Sequence, residues 1–293
     1  MRVLITGAYG QVGHELMRLV PAGFEAIGLD SAELDIADAA QVAAVVDRVQ
    51  PQLIINAAAY TAVDTAESEL QRAYAVNRDG VANLAQAAQR SEIPLLHIST
   101  DYVFSGDATA PYGEQDATAP TGVYGASKLA GELALMEGCS RYMILRTSWV
   151  FGAHGNNFVK TMLRLGRERD ELSVVADQQG CPTSAASIAC ALWALSQQYR
   201  DRGTLQWGLY HYSGLPACSW QAFAQEIFAQ AHELGMLPRV PVVHGISTAQ
   251  YPTPAKRPAW SVMDCSRLQQ AQQITPADWR TELRAVLLEL AGQ

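Results

Sequence analysis

The chain has 293 residues, of which 49% are hydrophobic and 17% charged, and its formal net charge is −8. This composition supports a sizeable core and excludes general disorder, and the length implies two domains or one large one. The acidic balance argues against a nucleic-acid partner, because a phosphate backbone needs a basic face.

Read in chain order, residues 1–6 (MRVLIT) predict a short, buried, parallel strand. A glycine-rich turn and a helix over about 11–20 follow. The next expected elements are a strand over 25–30, a helix over 39–48 and an apolar strand over 53–57. A long helical region spans 68–90. Then come a strand over 94–99, a helix over 124–136 and a strand over 143–147. Alternating strands and helices predict an α/β fold: a Rossmann-like, doubly wound parallel sheet with helices on both faces. Beyond residue 150 the pattern loosens. Helices are expected over 187–199, 220–234 and 278–290, and a last strand over 208–213. Residues 238–258, rich in Pro, Thr and Ser, read as loop. The expected division is an NAD(P)-binding domain over 1–150, rejoined by about 184–232. A smaller C-terminal substrate lobe is then expected over 151–183 and 233–293.

Gly7-Ala8-Tyr9-Gly10-Gln11-Val12-Gly13 is G-x-x-G-x-x-G between a strand and a helix. In that context glycine permits the tight turn and close backbone approach to a pyrophosphate, while the helix N-terminus supplies free N–H donors. Asp30 ends the second predicted strand, where a carboxylate can accept hydrogen bonds from ribose hydroxyls and repel a 2′-phosphate. On that ground NADH is favoured over NADPH; the alternative is an ordinary strand-end aspartate. Small residues Ala57-Ala58-Ala59, flanked by Asn56, Tyr60 and Thr61, either let backbone pass close to the cofactor or serve helix–sheet packing.

Tyr124-Gly125-Ala126-Ser127-Lys128 is Y-x-x-x-K, and on a helix the first and last side chains share a face. A phenol titrates near 10, so it exchanges a proton poorly at neutrality; a nearby ammonium, with the positive nicotinamide of the oxidised cofactor, is expected to bring it into range. Reduction of a ketone needs such a donor, because negative charge builds on the carbonyl oxygen. The strand-end triplet Ser99-Thr100-Asp101 adds a hydroxyl at Thr100 that can polarise the carbonyl. The ordered set of phosphate loop, strand-end hydroxyl and Y-x-x-x-K reads as an NAD(P)-dependent oxidoreductase.

The five cysteines, Cys139, Cys181, Cys190, Cys218 and Cys265, are widely spaced without zinc-ligand spacing, and read as free thiols in a reducing compartment. No secretory h-region and no apolar stretch of membrane-spanning length is present, so a cytoplasmic location without a membrane partner is expected. No metal is expected.

The glycine spacing is similar to that of the extended short-chain dehydrogenase/reductase superfamily, which implies adenine contacts at Asp35 and Ile36. More narrowly, the chain resembles the dTDP-4-dehydrorhamnose reductase family. The stretches that carry the resemblance are GAYGQVG (7–13), NAAAYTAVDTAES (56–68), STDYVF (99–104), YGASKLAGE (124–132), RTSWV (146–150), GNNFVKTMLRL (155–165) and YPTPAKRP (251–258). The resemblance implies reduction of the C4 ketone of dTDP-4-dehydro-L-rhamnose by NADPH or NADH. Tyr124 is then the proton donor, Lys128 orients it and Thr100 assists. Gln11 and Val12 join Gly7, Gly10 and Gly13 in the cofactor loop, alongside Asp30, Ala59, Tyr60 and Thr61, and Tyr124 and Lys128 are also expected to bind the cofactor, Lys128 through the nicotinamide ribose. Thr100, Asp101 and Trp149 would contact the sugar, and Asn156, Asn157, Lys160 and Arg257 the deoxythymidine diphosphate. The bland reading of the last four is surface polarity and an exposed ion pair.

Related nucleotide-sugar 4,6-dehydratases carry Thr-Asp-Glu at the strand end, where the carboxylates serve elimination. Here the triplet is Thr100-Asp101-Tyr102, which favours simple reduction. Two departures from the family pattern are Cys181, where a small residue is usual, and Trp260, where asparagine is usual. Two alternatives stay open: reduction of another dTDP-4-keto-deoxysugar, and a non-catalytic NAD(P)-binding regulatory subunit. A homodimer is compatible with the resemblance.

Overall fold

The computed structural model describes residues 1–292. In chain order the strands are β1 Arg2–Thr6, β2 Glu25–Leu29, β3 Leu53–Asn56, β4 Leu95–Thr100, β5 Tyr142–Thr147, β6 Val150–Phe151, β7 Glu171–Val175, β8 Gln179–Gly180, β9 Thr183–Ser184, β10 Gly208–His211, β11 Cys218–Ser219 and β12 Val242–Ile246. The helices are α1 Gln11–Arg18, α2 Ala39–Val49, α3 Val63–Ala66, α4 Leu70–Tyr74, α5 Gly80–Arg90, α6 Val123–Gly138, α7 Phe158–Glu168, α8 Ala185–Arg202, α9 Trp220–Glu233, α10 Ser266–Gln272 and α11 Trp279–Ala291. A π-helical turn, Ala75–Asp79, joins α4 to α5.

Six strands form one parallel sheet in the order β10-β5-β4-β3-β1-β2. The order reverses beside β1, so the carboxyl ends of β1 and β3 open onto one crevice, where ligands of doubly wound folds bind. Strand alternation feeds two cores. Val3, Ile5, Leu53, Ile55 and Leu96 point into one, which α8 covers; Leu4, Ile54 and Leu95 point into the other, against residues of α2 and α5. Removing such side chains from water contributes about 25 cal/mol per Å², and this burial on both faces explains the near-continuous apolar strands.

The second half departs from the sequence reading. The stretch read as loop contains β12, which pairs in parallel with β7. Its side chains are largely exposed, so no apolar alternation marks it. The segment expected to rejoin the sheet domain divides. Residues of α8, with Tyr210 and Tyr212, pack in the sheet core, but Phe223, Ile227 and Phe228 of α9 join a third cluster with α7, β7 and α11. Conversely Leu268 of α10 and Ile274, expected in the lobe, pack in the sheet core. Among the described residues, no helix is long and apolar enough to cross a membrane.

Candidate active site

The phosphate loop fits a dinucleotide. Gly7 has φ +71°, and a Cβ there would lie 2.6 Å from Ala58 N; a Cβ on Gly13 would lie 2.0 Å from Gly7 O. Only glycine lets α1 start this close to β1 and β3. Gly10 caps α1 without a side-chain hydrogen bond, leaving the first-turn N–H groups for an anion. Val12 is buried in the sheet core, so it can serve a cofactor only through its backbone. Gln11 instead turns outward and accepts from Asn157 Nδ2 at 3.0 Å.

The other expected cofactor residues divide. Asp30 Oδ1 accepts from Ala32 N at 2.9 Å and Glu33 N at 3.2 Å, closing its own turn after β2. Asp35 is exposed and holds Ala37 N in the same way, whereas Ile36 is a core residue against Gly80. Ala59 and Tyr60 are half-buried and Thr61 exposed. The Tyr60 phenol donates to Glu69, and its backbone is clamped by Asn77, which accepts from Tyr60 N at 2.8 Å and donates to Tyr60 O at 3.0 Å. Asn77 also donates to Ser127 Oγ, so the π-helical turn ties this loop to α6. Asn77 went unseen in the sequence because nothing local marks a π-turn.

Three residues meet above β4. Thr100 caps the turn Asp101–Val103, accepts from Tyr102 N at 3.2 Å and donates to Asp101 Oδ1 at 3.0 Å. Tyr124 lies at the start of α6, edge-on to Tyr102. Lys128, one turn along, is buried and donates to Ile98 O at 2.7 Å; its Nζ also lies 3.3 Å from His97 Nε2. The expected lowering of the phenol by this lysine is not what dominates. Burial pushes Tyr124 up to about 12, against a lowering effect of the nearby Thr100 hydroxyl, with Asp101 adding to the rise. Burial likewise pushes Lys128 down to about 8. A phenol that stays protonated is what a proton donor at rest requires. Asp101 is buried, its Oδ2 has no partner, and desolvation raises its carboxyl to about 7.

Beneath these residues a buried pair fixes α6 to the sheet. Arg146 on β5 holds Glu132 through Nε at 2.9 Å and Nη2 at 2.6 Å, and Ser99 Oγ donates to the same carboxylate.

The expected nucleotide contacts are partly engaged within the protein. Trp149, at φ +47°, stacks on Trp220 at 3.5 Å. Asn157 caps α7 and spans Gln11 and Gly152 O, so both ends of its amide are used internally. Lys160 Nζ donates to Ala153 O, and Asn156 is exposed. Arg257 pairs with Asp64 of α3 at 2.7 Å. The bond brings the PTPAKRP segment over the crevice, and the role of Asp64 could be found only once that partner was known.

A family model described as RmlD substrate binding domain matches residues 1–291. A dTDP-4-dehydrorhamnose reductase of Aggregatibacter actinomycetemcomitans is 48% identical over 97% of this chain and 98% of its own. The chain belongs to the dTDP-4-dehydrorhamnose reductase family. Within that family, the enzyme of Escherichia coli K12 is 41% identical over 99% of this chain and 98% of its own. A solved structure from Bacillus anthracis, in complex with NADP, is 40% identical with a TM-score of 0.91, covering 98% of this chain and 99% of the other. Of the two departures from the family pattern, Cys181 is fully buried with its thiol pushed up to about 12, which makes it an inert packing group. Trp260 donates from Nε1 to Ala110 O and so anchors the segment after Pro258.

No metal was expected, yet among the described residues one group of potential ligands assembles. Atoms of His14, Glu15 and His154 lie within 4.8 Å of one another, and Glu15 is paired with Arg18. Distance in the sequence hides this group.

Proposed function

We propose that the protein reduces the C4 ketone of dTDP-4-dehydro-L-rhamnose to dTDP-L-rhamnose with NADPH or NADH. The observation that carries this reading is the Thr100–Tyr124–Lys128 constellation beside the glycine loop, in a chain whose family relatives carry that activity in their names. When bound, the nicotinamide cofactor supplies hydride to C4. Gly7, Gly10 and Gly13 allow its pyrophosphate to approach the start of α1. Tyr124 gives its phenolic proton to the C4 oxygen, and Thr100 holds the phenol in place and polarises the carbonyl. Asp101 Oδ2, buried without a partner, faces a hydroxyl of the sugar, and Trp149 supplies an apolar wall. Arg257 and Lys160 balance the diphosphate.

The division that best suits the packing is a cofactor domain of residues 1–149 joined by 185–212 and 265–274. The remaining segments, including α7, α9 and α11, form the sugar-nucleotide lobe. A cytoplasmic protein acting without nucleic acid, as a monomer or homodimer, accords with this role.

A substrate panel tests the proposal. The protein is incubated with NADH or NADPH and several dTDP-4-keto-deoxysugars, and the products are identified. dTDP-4-dehydro-L-rhamnose should turn over fastest. Failure with it alongside success with another keto-sugar would reassign the substrate, and cofactor binding without any turnover would point to a regulatory subunit.

A further inference from the structure

A row of buried polar side chains runs across the sheet to the catalytic lysine. In register, Thr6 on β1 faces Asn56 on β3, and Asn56 faces His97 on β4. Thr6, Asn56 and His97 are all buried. Thr6 Oγ1 donates to Asn56 Oδ1 at 2.6 Å, and the backbone N–H of Ala58 donates to the same oxygen at 3.0 Å. A backbone N–H can only donate, so this atom must be the amide oxygen and the orientation of Asn56 is fixed. Its other end, the NH₂, therefore points at His97 Nδ1, 2.9 Å away, and Nδ1 must accept. A neutral imidazole has one donor and one acceptor, so the proton of His97 is on Nε2. That N–H faces Lys128 Nζ at 3.3 Å.

An ammonium has donors only and would set one N–H against another. An amine accepts from His97 through its lone pair and still donates to Ile98 O at 2.7 Å.

We propose that His97 is a positioning residue that draws Lys128 toward the uncharged amine in the unliganded protein, so that Lys128 becomes fully protonated only as the site fills. This deepens the reductase reading and rests on it for the role of Lys128. Burial acts in the same sense, pushing Lys128 down and holding His97 well below its ordinary value. Other ionisable groups surround the pair. Glu132 and Tyr124 lie on α6, Asp101 follows β4, and Arg146 on β5 is neutralised by Glu132. Of these, Glu132 opposes the effect by favouring the ammonium.

The proposal has a test independent of substrate. In the ¹⁵N,¹³C-labelled full chain, the ring nitrogens of His97 report its tautomer and the Cε shift of Lys128 reports its titration. Assignment comes from loss of the His97 signals in His97→Gln. The expected result is a neutral His97 protonated on Nε2 throughout the accessible pH range, with Lys128 titrating near 8, well below its ordinary value of about 10.4. A proton on Nδ1, an imidazolium, or an ordinary Lys128 titration would overturn it.

Asn56→Asp supplies a reversal. One carboxylate oxygen still receives Thr6 and Ala58, while the other accepts from His97 Nδ1, moving the proton there and turning the Nε2 lone pair to Lys128. The Lys128 titration should rise by about one unit or more, a tenfold change in its protonation, and the alkaline limb of kcat/KM should rise with it. If the tautomer reverses but neither titration nor limb moves, His97 is merely structural. Absence of keto-sugar turnover would defeat the reductase reading while leaving the tautomer measurement intact.

Discussion

The side chain of Asn157 donates to Gln11 Oε1 at 3.0 Å, linking the start of α7 in the lobe directly to the phosphate loop. The same amide donates to Gly152 O and accepts from Lys160 N, so it caps α7 while spanning the crevice. Cofactor loop and lobe are thus held by one short side chain, and what loosens it is felt on both sides.

Asn157→Ala should therefore raise KM for both the nicotinamide cofactor and the keto-sugar nucleotide, each severalfold, with a smaller change in kcat. Loss of the cap should also cost about 1 kcal/mol of stability. Steady-state kinetics with each substrate varied in turn, together with denaturant unfolding, check both. A change confined to one KM would show that Asn157 serves only one ligand.

Glu132 is the principal partner of the buried Arg146, and the Nη1 of that arginine already lacks a hydrogen bond. Glu132→Ala leaves an uncompensated charge under α6, so a loss of about 3–5 kcal/mol is expected. Urea unfolding reads it. A loss below 1 kcal/mol would mean that Arg146 finds solvent or another partner.

Asp101 supplies a pH dependence with a definite sign. Its folded carboxyl is raised to about 7 from an ordinary value of 3.8. The folded chain therefore binds more protons than the unfolded one between those values. The associated stability is fully present below about pH 4 and is lost as pH rises towards 7. Asp101→Asn removes this slope. Unfolding free energies of the two proteins across pH 4–8 should show the wild type losing ground to the variant as pH increases, and parallel curves would contradict the shift.

Much of this site is legible in the residues because its chemistry is local. The glycine loop, Thr100 and the Tyr124–Lys128 pair each sit at a strand end or on one helix turn, where spacing fixes placement. The inner sheet strands β1, β3, β4 and β5 are legible for a similar reason, being buried on both faces and hence apolar. Elements that depend on distant partners are not. β12 is mostly exposed and lies in a Pro-rich stretch, so its pairing with β7 leaves no periodic trace. The histidine in the strand PLLHIS looks like a satisfied core residue until Asn56 and Lys128 are seen on either side of it. Likewise the ion pair of Arg257 with Asp64 leaves no trace in the sequence, because 193 residues separate the two. Tyr124 is raised because its own burial prevails, while Lys128 is itself buried and engaged by Ile98 and His97.

The central claim is that Tyr124 is the proton donor in reduction of the C4 ketone. Its most direct measurement is single-turnover reduction of dTDP-4-dehydro-L-rhamnose by Tyr124→Phe, with cofactor affinity measured in parallel. Cofactor binding should be unchanged and the rate lower by about 10²–10⁴-fold, the usual contribution of a positioned general acid. A near-native rate with intact cofactor binding would contradict it.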